Sequence, residues 1–324
     1  MCTAITLKTK DFYFGRTLDY DVSYGENVCI VGRNFPIKLR FLEEIKSHYA
    51  IIGTAHISEN FPLFYDAANE KGLCIAGLNF VNNAHYNDFD KSKNNVALFE
   101  LIPYVLSQCD SVDNAVKLIQ SINVTNTDFS PSLTCAELHF LLADHKRAVT
   151  IEFVKDGLKI YQNPVGVLTN NPPFDIQLFS LNNYSHLSAR DTESHFGNGI
   201  KLQKYSRGLS AFSLPGDFSS QSRFIRASFL KLNSVCGDDE TDSVNQFFHI
   251  LGSVSQVRGS CVLENGECEI TIYSNCINAK RGIYYYTTYQ NRQITAINMH
   301  NENLDCDFLI RFPFISENNI NFAN

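Results

Sequence analysis

Cys2 stands directly behind the initiator methionine. Removal of Met1 would leave a thiol and a free α-amine on the same carbon. Their ordinary pKa values are about 8.5 and about 7.7–8.0. One residue can then supply nucleophile and general base without a histidine, by the logic of a threonine paired with its own N-terminal amine. The competing reading is a cysteine that merely falls in an edge strand. Arg16 and Asp19 lie three apart in Tyr13-Phe14-Gly15-Arg16-Thr17-Leu18-Asp19. An arginine there can hold a thiolate or carboxylate by charge-assisted bonds, and Asp19 can orient the α-amine and stabilise its protonated form. A surface ion pair would use the same residues. A regular strand puts positions 16 and 19 on opposite faces, so a shared site predicts that the strand ends or bulges between them.

Two asparagines close apolar runs: Asn79 in Ala76-Gly77-Leu78-Asn79-Phe80 and Asn170 in Val167-Leu168-Thr169-Asn170-Asn171-Pro172-Pro173. Asparagine N–H groups can stabilise an oxyanion; asparagine also favours turns at strand ends. Arg223 follows the cap-like Ser219-Ser220. A cation in the first helical turn runs against the macrodipole preference, so Arg223 either serves another purpose or is simply solvated.

These residues need strands and helices to hold them. Thr3–Leu7 alternates, Lys8–Asp11 reads as a turn, and Phe12–Arg16 returns, which predicts an N-terminal hairpin. Further strands are expected at 74–79, 148–154, 158–161, 165–169, 269–274, 283–289 and 293–298. Val112, Val116, Ile119 and Ile122 recur at helical spacing behind Asp110 and Ser111. Val244, Phe247, Phe248 and Leu251 do so behind Asp242 and Ser243. A third helix is expected from Ser219-Ser220 through Arg226 to Leu232. Helices among many antiparallel-type strands predict a layered α+β fold.

No long linker or repeat interrupts the 324 residues, so a single domain over 1–324 is the simpler organisation. The net charge of −7 with no basic run argues against nucleic acid. No apolar stretch approaches about 18 residues, so no membrane span is expected. MCTAITLKTK lacks the basic and long apolar regions of a secretory signal, which also weakens a lipidated Cys2. None of the ten cysteines is spaced CxxC, and no Cys/His group has zinc spacing. The default is reduced, mostly buried thiols in a cytoplasmic protein. Segment 188–215 is polar, glycine-containing and too long for an ordinary connection, so it is a candidate functional or assembly loop.

MCTAI, FGRTLD, AGLNF, VLTNNPPFD, LPGDFSSQSRFIRA and YSNC…YYYTTYQNRQI, in that order over roughly residues 1–310, together resemble the choloylglycine hydrolase family. That family of N-terminal nucleophile hydrolases comprises conjugated bile salt hydrolases and penicillin V acylases. The resemblance implies a four-layer αββα sandwich of two antiparallel sheets flanked by helices. It implies Cys2 as nucleophile after Met1 removal, with Arg16, Asp19, Asn79, Asn170 and Arg223 as its partners. Asn79 matches the asparagine typical of bile salt hydrolases, where penicillin V acylases usually carry tyrosine. Leu18, Tyr20, Ile57, Phe61, Phe129 and Leu133 are the implied substrate contacts. The implied activity is hydrolysis of the amide in glycine- or taurine-conjugated bile salts, with no metal or cofactor. The implied assembly is a homotetramer joined through the 188–215 loop, with 311–324 a less certain tail. Penicillin V or another N-acyl amide, such as an acyl-homoserine lactone, is the alternative substrate. A non-catalytic binder of amphipathic ligands is the alternative class.

Overall fold

The computed structural model describes residues 1–193, 196–200, 202–318 and 320–324. In chain order its strands begin with β1 (Cys2–Lys8), β2 (Phe12–Tyr20), β3 (Asn27–Val31), β4 (Ile51–Ser58), β5 (Phe61–Asn69), β6 (Cys74–Asn79) and β7 (Asn94–Ala97). Helices α1 (Leu101–Gln108) and α2 (Val112–Ser121) follow, then β8 (Ile122–Thr125), β9 (Leu138–Ala143), β10 (Ala148–Val154), β11 (Gly157–Gln162) and β12 (Val167–Leu168). Next come α3 (Phe174–Ser180), α4 (Ser220–Leu232), α5 (Glu240–Gly252), β13 (Ile270–Asn278), β14 (Ile283–Thr288), β15 (Thr295–Asn298) and β16 (Leu309–Pro313).

Two antiparallel sheets form the middle layers. The first has the order β12-β1-β2-β13-β14-β15 and the second β11-β10-β9-β6-β5-β4-β3-β16. Helices α4 and α5 pack on the first sheet, while α1 packs on the second with α2 beside it. This is the expected αββα arrangement, and its stacking follows from strands that are apolar on both faces. Ala4, Phe14, Leu78, Leu141 and Tyr284 belong to the core that includes the inter-sheet layer. Leu101, Val105 and Ile119 belong to the core beneath α1 and α2.

The N-terminal hairpin forms as its alternation predicts, with Cys2 opposite Leu18 and Ala4 opposite Arg16. Ser111 caps α2 and Ser219 caps α4. Helix α5 starts earlier than its apolar stripe suggested. Asp239, not Asp242 or Ser243, is the cap, and it accepts from Asp242 N at 2.9 Å. Glu240 and Asp242 thereby occupy the first turn, where the dipole favours acids. The expected strand at 165–169 pairs over only two residues, and that at 269–274 extends to Asn278.

Gly15 lies in β2 against its paired neighbour β13. A Cβ there would lie 2.0 Å from the Asn275 carbonyl oxygen, against backbone that cannot swing away. Gly15→Ala should therefore destabilise the fold by about 1–3 kcal/mol, the usual range for overpacking. Urea denaturation measures this, and an unchanged midpoint would show that the two strands separate freely.

Candidate active site

Strand β12 pairs with β1 only at Ala4–Leu168 and Ile5–Val167. Continued past Leu168, the same register would bring residue 170 opposite Cys2. The main chain leaves the ladder there, and the Asn170 side chain takes its place: Cys2 N donates to Asn170 Oδ1 at 2.8 Å. Arg223 Nη2 donates to the same oxygen at 2.8 Å. Asn170 Nδ2 in turn donates to the Asn79 carbonyl at 2.9 Å. A flipped amide would set NH2 against two donors, so this network fixes the orientation. One Nδ2 hydrogen is engaged by Asn79, which leaves the second for another acceptor.

Arg223 is fully buried and bridges the segments. Beyond Asn170 it donates to Cys2 O, to Thr3 Oγ1 at 2.7 Å and to Phe218 O at 3.0 Å. Burial pushes its pKa below the ordinary arginine value, opposed by Asp19 and Cys2. Its place in α4 is thus explained by the site and not by solvation. Arg226 turns elsewhere, to Ser253 O at 2.8 Å and Pro215 O at 2.6 Å.

Arg16 and Asp19 do lie on opposite faces of β2, as strand alternation requires, and no break in β2 brings them together. The register shift is on β13, between Thr271 and Tyr273. Cys2 and Arg16 both line a cavity of about 260 Å³. Arg16 reaches across to the second sheet, donating to Tyr65 O at 3.2 Å and to Gly77 O. Burial opposes its charge, but Cys2, Tyr273, Asp66 and Asp19 together raise its pKa. Asp19 points to the other face, accepting from Thr271 Oγ1 at 2.6 Å and Thr17 Oγ1 at 3.0 Å. Burial raises its pKa, and Arg223 counteracts this. Cys2 at the strand end is therefore served from both faces of one sheet. The expectation of a break in β2 is corrected: the alternation itself is the arrangement.

Met1 continues the ladder beyond Cys2. Its amine donates to Asp19 O at 2.6 Å and pairs with Glu269, and Asp19 N donates to Met1 O at 2.9 Å. Burial lowers the pKa of that amine. While Met1 remains, the Cys2 nitrogen is an amide with no basicity.

Leu18, Tyr20, Asn79, Phe129 and Leu133 line the same cavity as Cys2. Ile57 and Phe61 do not. Phe61 packs behind the wall, 5.6 Å from Phe99 and 6.0 Å from Phe129 between ring centroids, and Ile57 joins the core of the second sheet. The resemblance set both near Cys2 and did not separate wall from backing. Among the described residues that form the lining, Arg16 is the only Lys or Arg and none is Asp or Glu.

Sequence motifs missed Asp66. It is fully buried between the sheets and accepts from Tyr273 Oη at 2.5 Å, Asn275 Nδ2 at 2.8 Å and Tyr284 Oη at 3.0 Å. A single acid within the apolar run of β5 was the available signal. His139 and Glu152 were missed likewise, each a polar residue inside an apolar strand.

Residues 2–312 match the family of linear amide C–N hydrolases described as the choloylglycine hydrolase family. A bile salt hydrolase/transferase from Lactiplantibacillus plantarum is 51% identical, with 98% of each chain covered. A solved variant of the conjugated bile acid hydrolase from Clostridium perfringens superposes with a TM-score of 0.92 at 33% identity, covering 100% of both chains. The penicillin V acylase from Agrobacterium tumefaciens shares the fold, with a TM-score of 0.77 at 19% identity over 96% of this chain and 91% of its own. The chain belongs to the choloylglycine hydrolase family and is a linear amide hydrolase.

Removing the Arg223 fork takes the side-chain donor from Cys2 O and Thr3 Oγ1 and leaves Asn170 Oδ1 with Cys2 N alone. Hydrogen bonds to charged groups contribute roughly 1.5–3 kcal/mol each. Arg223→Ala should thus lose at least about tenfold in kcat/KM. Arg226→Ala should cost stability far more than turnover. Steady-state assays of both variants test this; the reverse order would move the essential arginine to position 226.

Proposed function

We propose that this protein hydrolyses the amide bond of glycine- or taurine-conjugated bile salts, with Cys2 as nucleophile once Met1 has been removed. The observation that carries this reading is the cavity at Cys2. Its wall is largely apolar, with one permanent cation and no carboxylate in its lining. That composition suits an anionic amphipath with a broad apolar body. Burying apolar area stabilises by about 25 cal/mol per Å², and such binding far from the scissile bond can be used to position it. The relatives named as acting on bile salts support the same substrate.

The Cys2 thiolate attacks the amide carbon, a C–S bond forms, and the carbonyl π pair moves onto oxygen. Arg16 lies beside the thiolate as its cation. The remaining Nδ2 hydrogen of Asn170 and the Asn79 side chain receive the oxyanion. The Cys2 ammonium, supported by Asp19, gives a proton to the leaving nitrogen as the C–N bond breaks. Glycine or taurine departs and a thioester remains. The neutral amine then takes a proton from water, hydroxide attacks the thioester, and C–S cleavage releases the bile acid and restores the thiolate. Atoms and charge balance with no further reactant.

The homotetramer is part of this proposal. Ile200, Leu202, Tyr205 and Phe212 are exposed on segment 188–215, and Tyr205 is 84% exposed. Such side chains support a role in covering another copy. Residues 194, 195 and 201 of the segment lie outside the described residues. We also propose a cytoplasmic location, supported by ten free cysteines.

Active protein should begin at Cys2 by intact mass. Cys2→Ala should abolish hydrolysis while leaving the melting temperature near wild type, and Cys2→Ser should be severely impaired. Turnover by protein that keeps Met1 would refute the mechanism. Asn170→Ala should lower kcat by roughly 10²–10³ with a smaller change in KM. An effect confined to KM would instead assign Asn170 to ground-state binding. In competition, glycocholate should be preferred over penicillin V by kcat/KM, and Asn79→Tyr should reduce that preference. Equal or better use of penicillin V by the wild type would make the enzyme an acylase.

A further inference from the structure

His139 and Glu152 lie outside the cavity, yet both are fully buried. His139 lies in β9 opposite Leu78, and its neighbour Leu138 lies opposite Asn79. The His139 ring stacks on Phe80 with centroids 4.3 Å apart and planes 8° from parallel. It is thus fastened to the strand end that carries Asn79. Its Nε2 contacts Thr169 O at 2.8 Å, immediately before Asn170. Its Nδ1 contacts Glu152 Oε1 at 3.0 Å, and that oxygen accepts from Phe174 N at 2.9 Å. The segment Thr169–Phe174 is therefore held at both ends.

The donors can be assigned from chemistry alone. A carbonyl only accepts, so Nε2 must carry a hydrogen toward Thr169. Nδ1 and Oε1 then share one proton. As imidazolium with carboxylate, or as imidazole with carboxylic acid, the pair is net neutral and keeps both outer contacts. Gln177 completes the grip, donating to Asn170 O and to Pro172 O, while Asn170 N donates to Ser220 Oγ at 2.8 Å. The other tie between the two asparagine-bearing segments, apart from Asn170 itself, is an exposed one from Asn171 Nδ2 to Val81 O at 2.8 Å.

We propose that His139 and Glu152 are positioning residues for the reaction: a buried clamp that sets Asn170 against Asn79 and so aligns the amide donors that receive the oxyanion. This rests on the reading of Asn170 as an oxyanion donor, and it names the residues that make that donor effective. Neither His139 nor Glu152 touches substrate or Cys2. Their effect passes through Asn170.

The test is a double-mutant cycle with glycocholate, on mature enzyme whose Cys2 terminus is verified by mass. His139→Leu should lower kcat at least tenfold with KM within about twofold, a split expected for lost transition-state alignment. His139→Gln, which can still donate to Thr169 O, should recover much of that loss. His139→Leu combined with Asn170→Ala should be no slower than Asn170→Ala alone, because the clamp acts through that side chain. Additive losses in the double variant would overturn the clamp, as would wild-type kcat in folded His139→Leu. If His139→Leu fails to fold, Glu152→Gln enters the same cycle. A glutamine cannot supply the shared proton to a neutral imidazole through Oε1, so the same pattern is expected; wild-type kcat in that variant would equally overturn the proposal. Wild-type kcat in Asn170→Ala alone would instead refute the underlying reading of Asn170.

Discussion

The hydrogen bond from Cys2 N to Asn170 Oδ1 is the contact on which the rest of the site depends. An edge nucleophile faces a conflict. A fully paired strand end would shut the nitrogen inside a ladder, and an unpaired one would leave a buried donor unsatisfied, at a cost of about 1–3 kcal/mol. Here β12 stops two residues short and offers a side chain in place of a carbonyl. The donor is satisfied, and the same acceptor remains in place for a free amine. Arg223 then ties that acceptor to the carbonyl of Cys2 and the hydroxyl of Thr3. The geometry around Cys2 is consequently set by three chain segments, β1, the turn after β12 and α4.

The second constraint is charge. Isolated buried ions are strongly disfavoured, and buried charges persist only when paired and hydrogen-bonded. Arg16, Arg223, Asp19 and Asp66 are all buried, two guanidinium groups against two carboxyl groups. Three donors surround Asp66 and two hydroxyls hold Asp19. A thiolate on Cys2 beside its own ammonium adds no net charge to this set. The proposed zwitterionic nucleophile is therefore compatible with the balance already present. The β-strand period of two distributes these groups: Arg16 on the cavity side, Asp19 with Arg223 on the helix side.

Local patterns made much of this legible. The hairpin followed from alternation across Thr3–Leu7 and Phe12–Arg16, α2 from a serine cap ahead of an apolar period, and α4 from its start at Ser219-Ser220. The motifs also drew attention to Cys2, Asn79, Asn170 and Arg223, which stand at strand ends or a helix start, and to Arg16 and Asp19 within β2. Strands β3 to β5 between Asn27 and Asn69 escaped notice, because β3 and most of β4 are buried on both faces and β5 alternates in burial only over its first half. Asp66, His139 and Glu152 escaped for a different reason. Their partners are 13 to 218 residues away in the chain, so no local spacing reveals them. The start of α5 was misplaced because the apolar stripe marks the buried face, while the cap at Asp239 is set by polar residues one turn earlier.

In the proposed mechanism, chemistry passes through Cys2 only after its amine is free. The most direct measurement is acid-quenched single turnover of glycocholate followed by peptide mass mapping. A transient acyl group is expected on a peptide that begins at Cys2, lost as free bile acid forms. Hydrolysis by chains still beginning at Met1, or an acyl group borne by any other residue, would contradict it.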